Sequence, residues 1–456
     1  MSLPINGRIA IIDDQLKHAE PLMKILSKNQ LPHTYFSGDI LYLPEETDNS
    51  NDIRLLFLDI NLIDNSEHSD KILKSKLVPV INRVISQNNY PYAIVFWSRH
   101  EHHRALLEND IFENDLKTKK PIGYLSATKS DFFDLDGNHT EEFDKNIDKL
   151  FKKINDLFHD FYSYKLLLNW ENLIHNATDS TLQEIFSIHH QKEGWKDNSN
   201  CIISKLGNAY LGNYYKEAGV AEKNTASFIS FNSVFKDTID STVYNFNETT
   251  PQELTYDTNE TDVTEILTLI NEKLNLSKNI VNTNDPGNII FYDDDKLFKQ
   301  ILNKILSLFK LKNLIKSSNN GIEESVLKKA ASKKFEEIKT EIKSSWKKIG
   351  VVVTPICDYV QKNNHIYDRI VNGLLIDNKY KEYVDTNSEA IFICPFTIKI
   401  EDIEYLLILD FRYFTTTDLT GIEKSKVKYR IRQELLSEIQ SKLSRHINRQ
   451  GILFVN

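Results

Sequence analysis

Five short strand-like segments, most of them apolar and all before residue 135, constrain this chain more than any other feature. They are Arg8–Ile12 (RIAII), His33–Phe36 (HTYF), Arg54–Leu58 (RLLFL), Ala93–Trp97 (AIVFW) and Ile122–Ser126 (IGYLS). Between them the spacing turns helical: Leu16, Ala19, Leu22, Met23, Ile25 and Leu26 share one face, as do Val80, Ile81, Val84 and Ile85 within Val78–Ser86. The polar stretch Asp39–Asp52 has room for one further short helix. Strands that are apolar at every position, rather than alternately, are covered on both faces. Separated by helices, they predict a doubly wound parallel sheet.

Composition constrains the rest of the chain. Only 14 glycines and 11 prolines occur in 456 residues, less than half the usual share, which favours helices over a many-stranded β architecture. Phe143, Ile147, Leu150, Phe151, Ile154, Leu157, Phe158 and Phe161 recur at helical spacing and predict a long helix running on as a linker. Its apolar face suits burial in a core and homodimerisation equally well. Leu297–Leu314 and the Lys/Glu-laced Ser325–Lys348 are also helical by pattern, the second with a solvated face. Strand character returns in Ile349–Thr354, Ile370–Ile376, Ala390–Ile400 and Glu404–Phe414, the last two as a hairpin, before an amphipathic helix over Arg430–His446. The expected organisation is an α/β domain over 1–138, a linker helix over 139–176, a mainly helical domain over 177–345 and an α+β domain with a small antiparallel sheet over 346–456.

The formal net charge of −9 argues against a dedicated nucleic-acid-binding chain. The basic segment Ser425–Arg449 is the one feature pointing the other way. Three cysteines, Cys201, Cys357 and Cys394, cannot build a disulfide framework and suit a reducing compartment. No apolar run has the ~20 residues a membrane helix needs, and the N-terminal residues lack a secretory pattern, so a soluble cytoplasmic protein with no membrane partner is expected.

The chemistry gathers at the strand ends. Asp13 and Asp14 follow the first run, Asp59 follows the third, Ser98 ends the fourth and Lys129 lies just beyond the fifth. In a doubly wound sheet these ends share one edge, where ligands bind. Three carboxylates held together repel one another and call for a hard divalent cation, of which Mg²⁺ fits best. A carboxylate can act as a phosphoryl nucleophile, and a hydroxyl with an ammonium can hold phosphoryl oxygens as charge moves.

The segments IIDDQ, LFLDINL, VFWSRH and SATKSD, in this order, resemble the receiver domain of two-component response regulators over roughly residues 7–160. The resemblance implies a five-stranded flavodoxin-like fold and phosphorylation by a sensor histidine kinase. It also implies roles: Asp13 and Asp14 as the acidic pair, Asp59 as phospho-acceptor, and the backbone carbonyl of Asn61 as a further Mg²⁺ ligand. Ser98 becomes the switch hydroxyl and Lys129 the phosphate-binding lysine. Arg99, followed by His100, stands where the family carries a small residue, and Ser130 stands where it carries proline. A bulky Arg99 would hinder attack by water, or its charge would help to hold the phosphate; the sequence leaves both open.

The remainder of the chain carries no phosphate loop, HExxH, CxxC or GxSxG motif. Glycine-bearing Lys205–Gly219 reads as a helix pair with a turn. Cys357 in TPICD, with His365 and Cys394, falls short of a closed zinc set, and a buried, inert cysteine is the commoner outcome. The whole layout resembles the receiver proteins of Detocs-type anti-phage two-component systems that lack an enzyme. That implies a phosphate sink which limits leaky signalling beside a paired receiver-effector protein. The alternative is a regulator whose C-terminal region is a phosphorylation-controlled enzyme or a partner- or DNA-binding output.

Overall fold

In the computed structural model the described residues are all but 1–3, 5–7, 47–51, 65, 100, 135–137, 189–193, 249–250, 255–259, 319–322, 356–357, 359–366, 420–421 and 449–456. The chain folds as two compact units, Met1–Ile202 with Phe228–Thr255, and Ile203–Ser227 with Tyr256–Asn456.

The first unit is built on the apolar runs. β1 (Ile9–Ile12), α1 (Leu16–Lys28), β2 (His33–Phe36), β3 (Leu55–Leu58), α2 (Asp70–Val84) and β4 (Ala93–Ser98) succeed one another along the chain. A short turn α3 (Arg104–Leu106) runs into a π-helix over Leu107–Asp115, and β5 (Gly123–Thr128) completes the sheet. All strand pairs are parallel and the order is β2-β1-β3-β4-β5, that of the flavodoxin-like doubly wound fold. Alternate residues leave on opposite faces. Ile9, Ile11, Leu55, Phe57, Val95 and Trp97 pack against α1 and α4 (Phe143–Asp160). Ala10, Ile12, Leu56, Leu58, Ile94 and Phe96 pack against α2 and the π-helix. The apolar face of α4 is thus core. The expected continuous linker helix is broken at Phe161, whose backbone leaves helical geometry (φ −102°, ψ 60°) before α5 (Tyr162–Phe186).

Helix α5 is fastened to the sheet by charge. Glu171 accepts from Arg54 Nη2 at 2.7 Å and Nε at 3.1 Å, and from Arg8 Nη1 at 3.1 Å. The Tyr164 hydroxyl donates to the Arg54 carbonyl at 2.6 Å. Removing one partner strands half-buried charge, so Glu171→Ala is expected to lower the stability of this unit by about 2 kcal/mol, read as an earlier melting transition.

Helices α6 (Trp195–Leu211) and α7 (Val220–Tyr244) pass from one unit into the other. They approach closely at Gly207, where a Cβ would lie 2.7 Å from Ser227 Oγ. Lys205–Gly219 is therefore the end of α6 with a 3₁₀ turn over Gly212–Lys216 after it.

The second unit continues with α8 (Glu260–Asn275), β6 (Leu276–Ser277), β7 (Asn288–Tyr292), α9 (Lys296–Ile305), α10 (Leu308–Ser318) and α11 (Glu324–Ser345). Then come β8 (Lys347–Val352), β9 (Asp368–Asp377), β10 (Ile391–Ile400), β11 (Ile403–Thr417), β12 (Val427–Ile431) and α12 (Gln433–Ile447). Its sheet is antiparallel with seven strands, β10-β11-β9-β8-β7-β12-β6. It recruits two strands from before residue 346, and β10–β11 is the expected hairpin. One face packs on α12 and the other on α9 and α11. Part of the basic Ser425–Arg449 segment is strand, since Val427, Tyr429 and Ile431 alternate into the core. Among the described residues no helix is long and apolar enough to cross a membrane.

Candidate functional site

Register brings the predicted residues together. Ile12 pairs with Leu58, Leu58 with Phe96, and Ser98 with Thr128. The residues just past β1, β3 and β5 therefore converge on one edge with the end of β4. Backbone bonds carry this order one step past the strands: Asp59 N donates to the Ile12 carbonyl at 2.9 Å and Asp13 N to the Phe36 carbonyl at 3.2 Å.

Asp13, Asp14 and Asp59 each offer a carboxylate oxygen, and these oxygens lie within 4.8 Å of one another. Asp13 and Asp59 are buried, as are Ser98 and Lys129, while Asp14 is half-buried. Lys129 Nζ reaches both buried acids, forming an ion pair with Asp13 Oδ2 at 2.6 Å and a tight hydrogen bond to Asp59 Oδ2. The remaining oxygens are oriented by backbone. Asp13 Oδ1 accepts from Gln15 N at 3.0 Å, and Asp59 Oδ1 accepts from Asn61 N at 3.1 Å. The Tyr35 hydroxyl donates to the Asp13 carbonyl at 2.8 Å, a support that sequence reasoning missed.

Burial, together with the charge of Asp59, pushes the Asp13 carboxyl up to about 7 against the opposing pull of Lys129. Asp14 is raised for the same first reason, burial, with Asp59 adding to it. Burial works against the ammonium of Lys129, but the charges of Asp59 and Asp13 outweigh it and hold its pKa above the ordinary lysine value. One cation therefore faces three carboxylates, and the site favours more positive charge. The donors are all carboxylate oxygens, which suits a hard divalent cation. Asp13 Oδ2 is buried and meets the Lys129 ammonium as an ion pair rather than as an aligned hydrogen bond. This acidic cluster can hold a metal ion.

The Asn61 side chain is committed to its own loop: Nδ2 donates to the Ser66 carbonyl at 2.7 Å and Oδ1 accepts from Ile63 N at 3.3 Å. Its backbone is thereby held while its amide group is spent. Arg99 turns to the segment after β5, donating from Nη2 to the Asp134 carbonyl at 2.6 Å and lying over the Phe133 ring at 5.7 Å. Its guanidinium joins the ends of β4 and β5. His100 lies outside the described residues, as do Cys357 and His365. Cys394 is buried, and that burial pushes its thiol up to about 12.

No family model matches the chain, and no curated protein matches it.

Proposed function

We propose that the chain is a two-component receiver protein that accepts a phosphoryl group on Asp59 from a sensor histidine kinase. Mg²⁺ would be held by Asp13, Asp14, Asp59 and the backbone carbonyl of Asn61. The observation that carries this reading is the buried ammonium of Lys129, shared between Asp13 and Asp59 on one sheet edge. A lone aspartate after a strand is ordinarily a cap or a turn. Two buried acids sharing one lysine, with a third acid alongside, make an arrangement that a structural role does not need.

These groups define the chemistry. A carboxylate oxygen of Asp59 attacks the phosphorus of a phosphoimidazole. The P–N bond breaks, its electron pair stays on the imidazole nitrogen, and that nitrogen takes a proton. Lys129 moves from the carboxylates to the transferred oxygens, and Ser98 at the end of β4 donates its hydroxyl to one of them. When bound, the cation supplies charge neutralisation at the phosphoryl oxygens. Asp59 is only 6% exposed, which restricts bulk water at the acyl phosphate and lengthens its lifetime. Such an acceptor, sharing a kinase with a receiver-effector, divides the phosphoryl flux and acts as a sink, the output we propose.

Labelling by acetyl phosphate tests the acceptor reading. Wild type is expected to incorporate phosphoryl groups with Mg²⁺ and to lose incorporation with EDTA. Asp14→Asn is expected to label at least tenfold more slowly at the same Mg²⁺ concentration. Equal labelling of both proteins, with and without the cation, would overturn the assignment.

A further inference from the structure

A second set of ligand-type side chains lies on the loops after β3 and β4, apart from the acidic trio. Glu67, His102 and His103 each offer one ligand atom, and those atoms lie within 4.8 Å of one another. His102 Nε2 is 3.2 Å from Glu67 Oε1. The two imidazoles sit with centroids 4.1 Å apart and planes inclined by 42°, although adjacent residues of a turn ordinarily diverge. His103 Nδ1 lies 2.9 Å from Asp70 Oδ1.

Two imidazoles and a carboxylate form a borderline nitrogen–oxygen donor set, which selects zinc-class ions over Mg²⁺. Asp70 adds what such sites usually have behind a ligand. By accepting the Nδ1 proton of His103 it fixes the tautomer, leaves the Nε2 lone pair as donor and raises its basicity. Three protein ligands leave a fourth tetrahedral position open, the pattern of a metal that keeps a water or takes an exogenous ligand. Access is through the outer ligands: Glu67 and His102 side chains are 75% and 56% exposed, while His103 is 11% exposed with its Nε2 buried and anchors the set from below. His68, next to Glu67, is engaged by Asp64 at 2.8 Å and is not counted as a ligand.

We infer that Glu67, His102 and His103 form a zinc-class transition-metal site, with Asp70 positioning His103. An ion there replaces the Glu67–His102 pair and clamps the loop after β3 to the turn after β4. The set shares no residue with the acidic trio at Asp59, and its test separates the two.

The experiment titrates Zn²⁺ calorimetrically into the untagged full chain carrying Cys201→Ser, because Cys201 is an exposed thiol, with millimolar Mg²⁺ present to occupy the acidic trio. One equivalent is expected to bind with micromolar or tighter affinity. Glu67→Gln and His102→Ala should each weaken binding at least tenfold. Both side chains are exposed, so neither change threatens the fold. Asp70→Asn is expected to cost about tenfold through the orientation of His103. Asp59→Asn should bind Zn²⁺ as wild type does. Absence of binding by the Cys201→Ser chain, or affinity unchanged in both Glu67→Gln and His102→Ala, would overturn the assignment.

Discussion

Replacing Asp59 by asparagine is expected to abolish phosphoryl incorporation from either acetyl phosphate or a phosphorylated kinase while the chain stays folded. The amide keeps the shape of the carboxylate but is a poor nucleophile, and the other buried acid is already committed. Asp13 sits on the adjacent strand end with its Oδ1 bound to Gln15 N and its Oδ2 paired with Lys129. Folding survives because Lys129 keeps Asp13 as counter-ion at 2.6 Å. Intact-mass spectrometry reads the outcome directly: a phosphoryl adduct on wild type and none on Asp59→Asn. An adduct of equal yield on the variant would move the acceptor elsewhere. If the sink reading holds, Asp59→Asn also returns phosphoryl flux to a second acceptor sharing the kinase. A mixture of kinase, effector receiver and this chain should then label the effector faster with the variant than with wild type.

Lys129→Met should have the largest effect on stability. The lysine is 1% exposed and is the shared cation for two buried acids. Its loss leaves Asp13 and Asp59 facing each other without compensation, and breaking a buried pair in this way costs about 3–5 kcal/mol. The same loss makes the site hungrier for a divalent ion. Millimolar Mg²⁺ is expected to restore more of the melting temperature in Lys129→Met than it adds to wild type, because an ion bound only by the folded state stabilises it. A variant as stable as wild type in EDTA would show that the ammonium is not what neutralises the acids. Phosphoryl incorporation should fall as well, since the cation that meets the transferred oxygens is gone.

Much of the first unit is legible because its central strands β1, β3 and β4 are buried on both faces, leaving uninterrupted apolar runs, and because parallel strands all end at one edge. Asp13, Asp59, Ser98 and Lys129 could be placed together from that rule alone. The features that escaped depend on contacts between distant residues. The spacing in Val78–Ser86 reveals only the buried end of α2, whose start at Asp70 is polar and solvated. Helical periodicity runs unbroken through Phe161, yet its ring packs against Gly123, where a Cβ would come within 3.0 Å, and the backbone turns there. Strand β7 is five residues after an Asn-rich stretch, and its partners β8 and β12 lie far along the chain. The alternation of Val427, Tyr429 and Ile431 merges by eye with the helix just after it. Glu67 and His102 stand 35 positions apart, and only neighbouring loops of a parallel sheet bring them into range.

The indole of Trp97 has a use beyond packing. It is 1% exposed, precedes Ser98 directly, and lies among Phe57, Phe132 and Phe133 with centroids 4.8–6.2 Å away. Trp170 and Trp195 are more than half exposed, so their emission lies to the red of a chromophore sealed in hydrocarbon, and half-buried Trp346 in the second unit is silenced by Trp346→Phe. The chain thus carries an intrinsic optical gauge one residue from the serine and in ring contact with the segment after Lys129, and events at this sheet edge can be tracked in unlabelled protein.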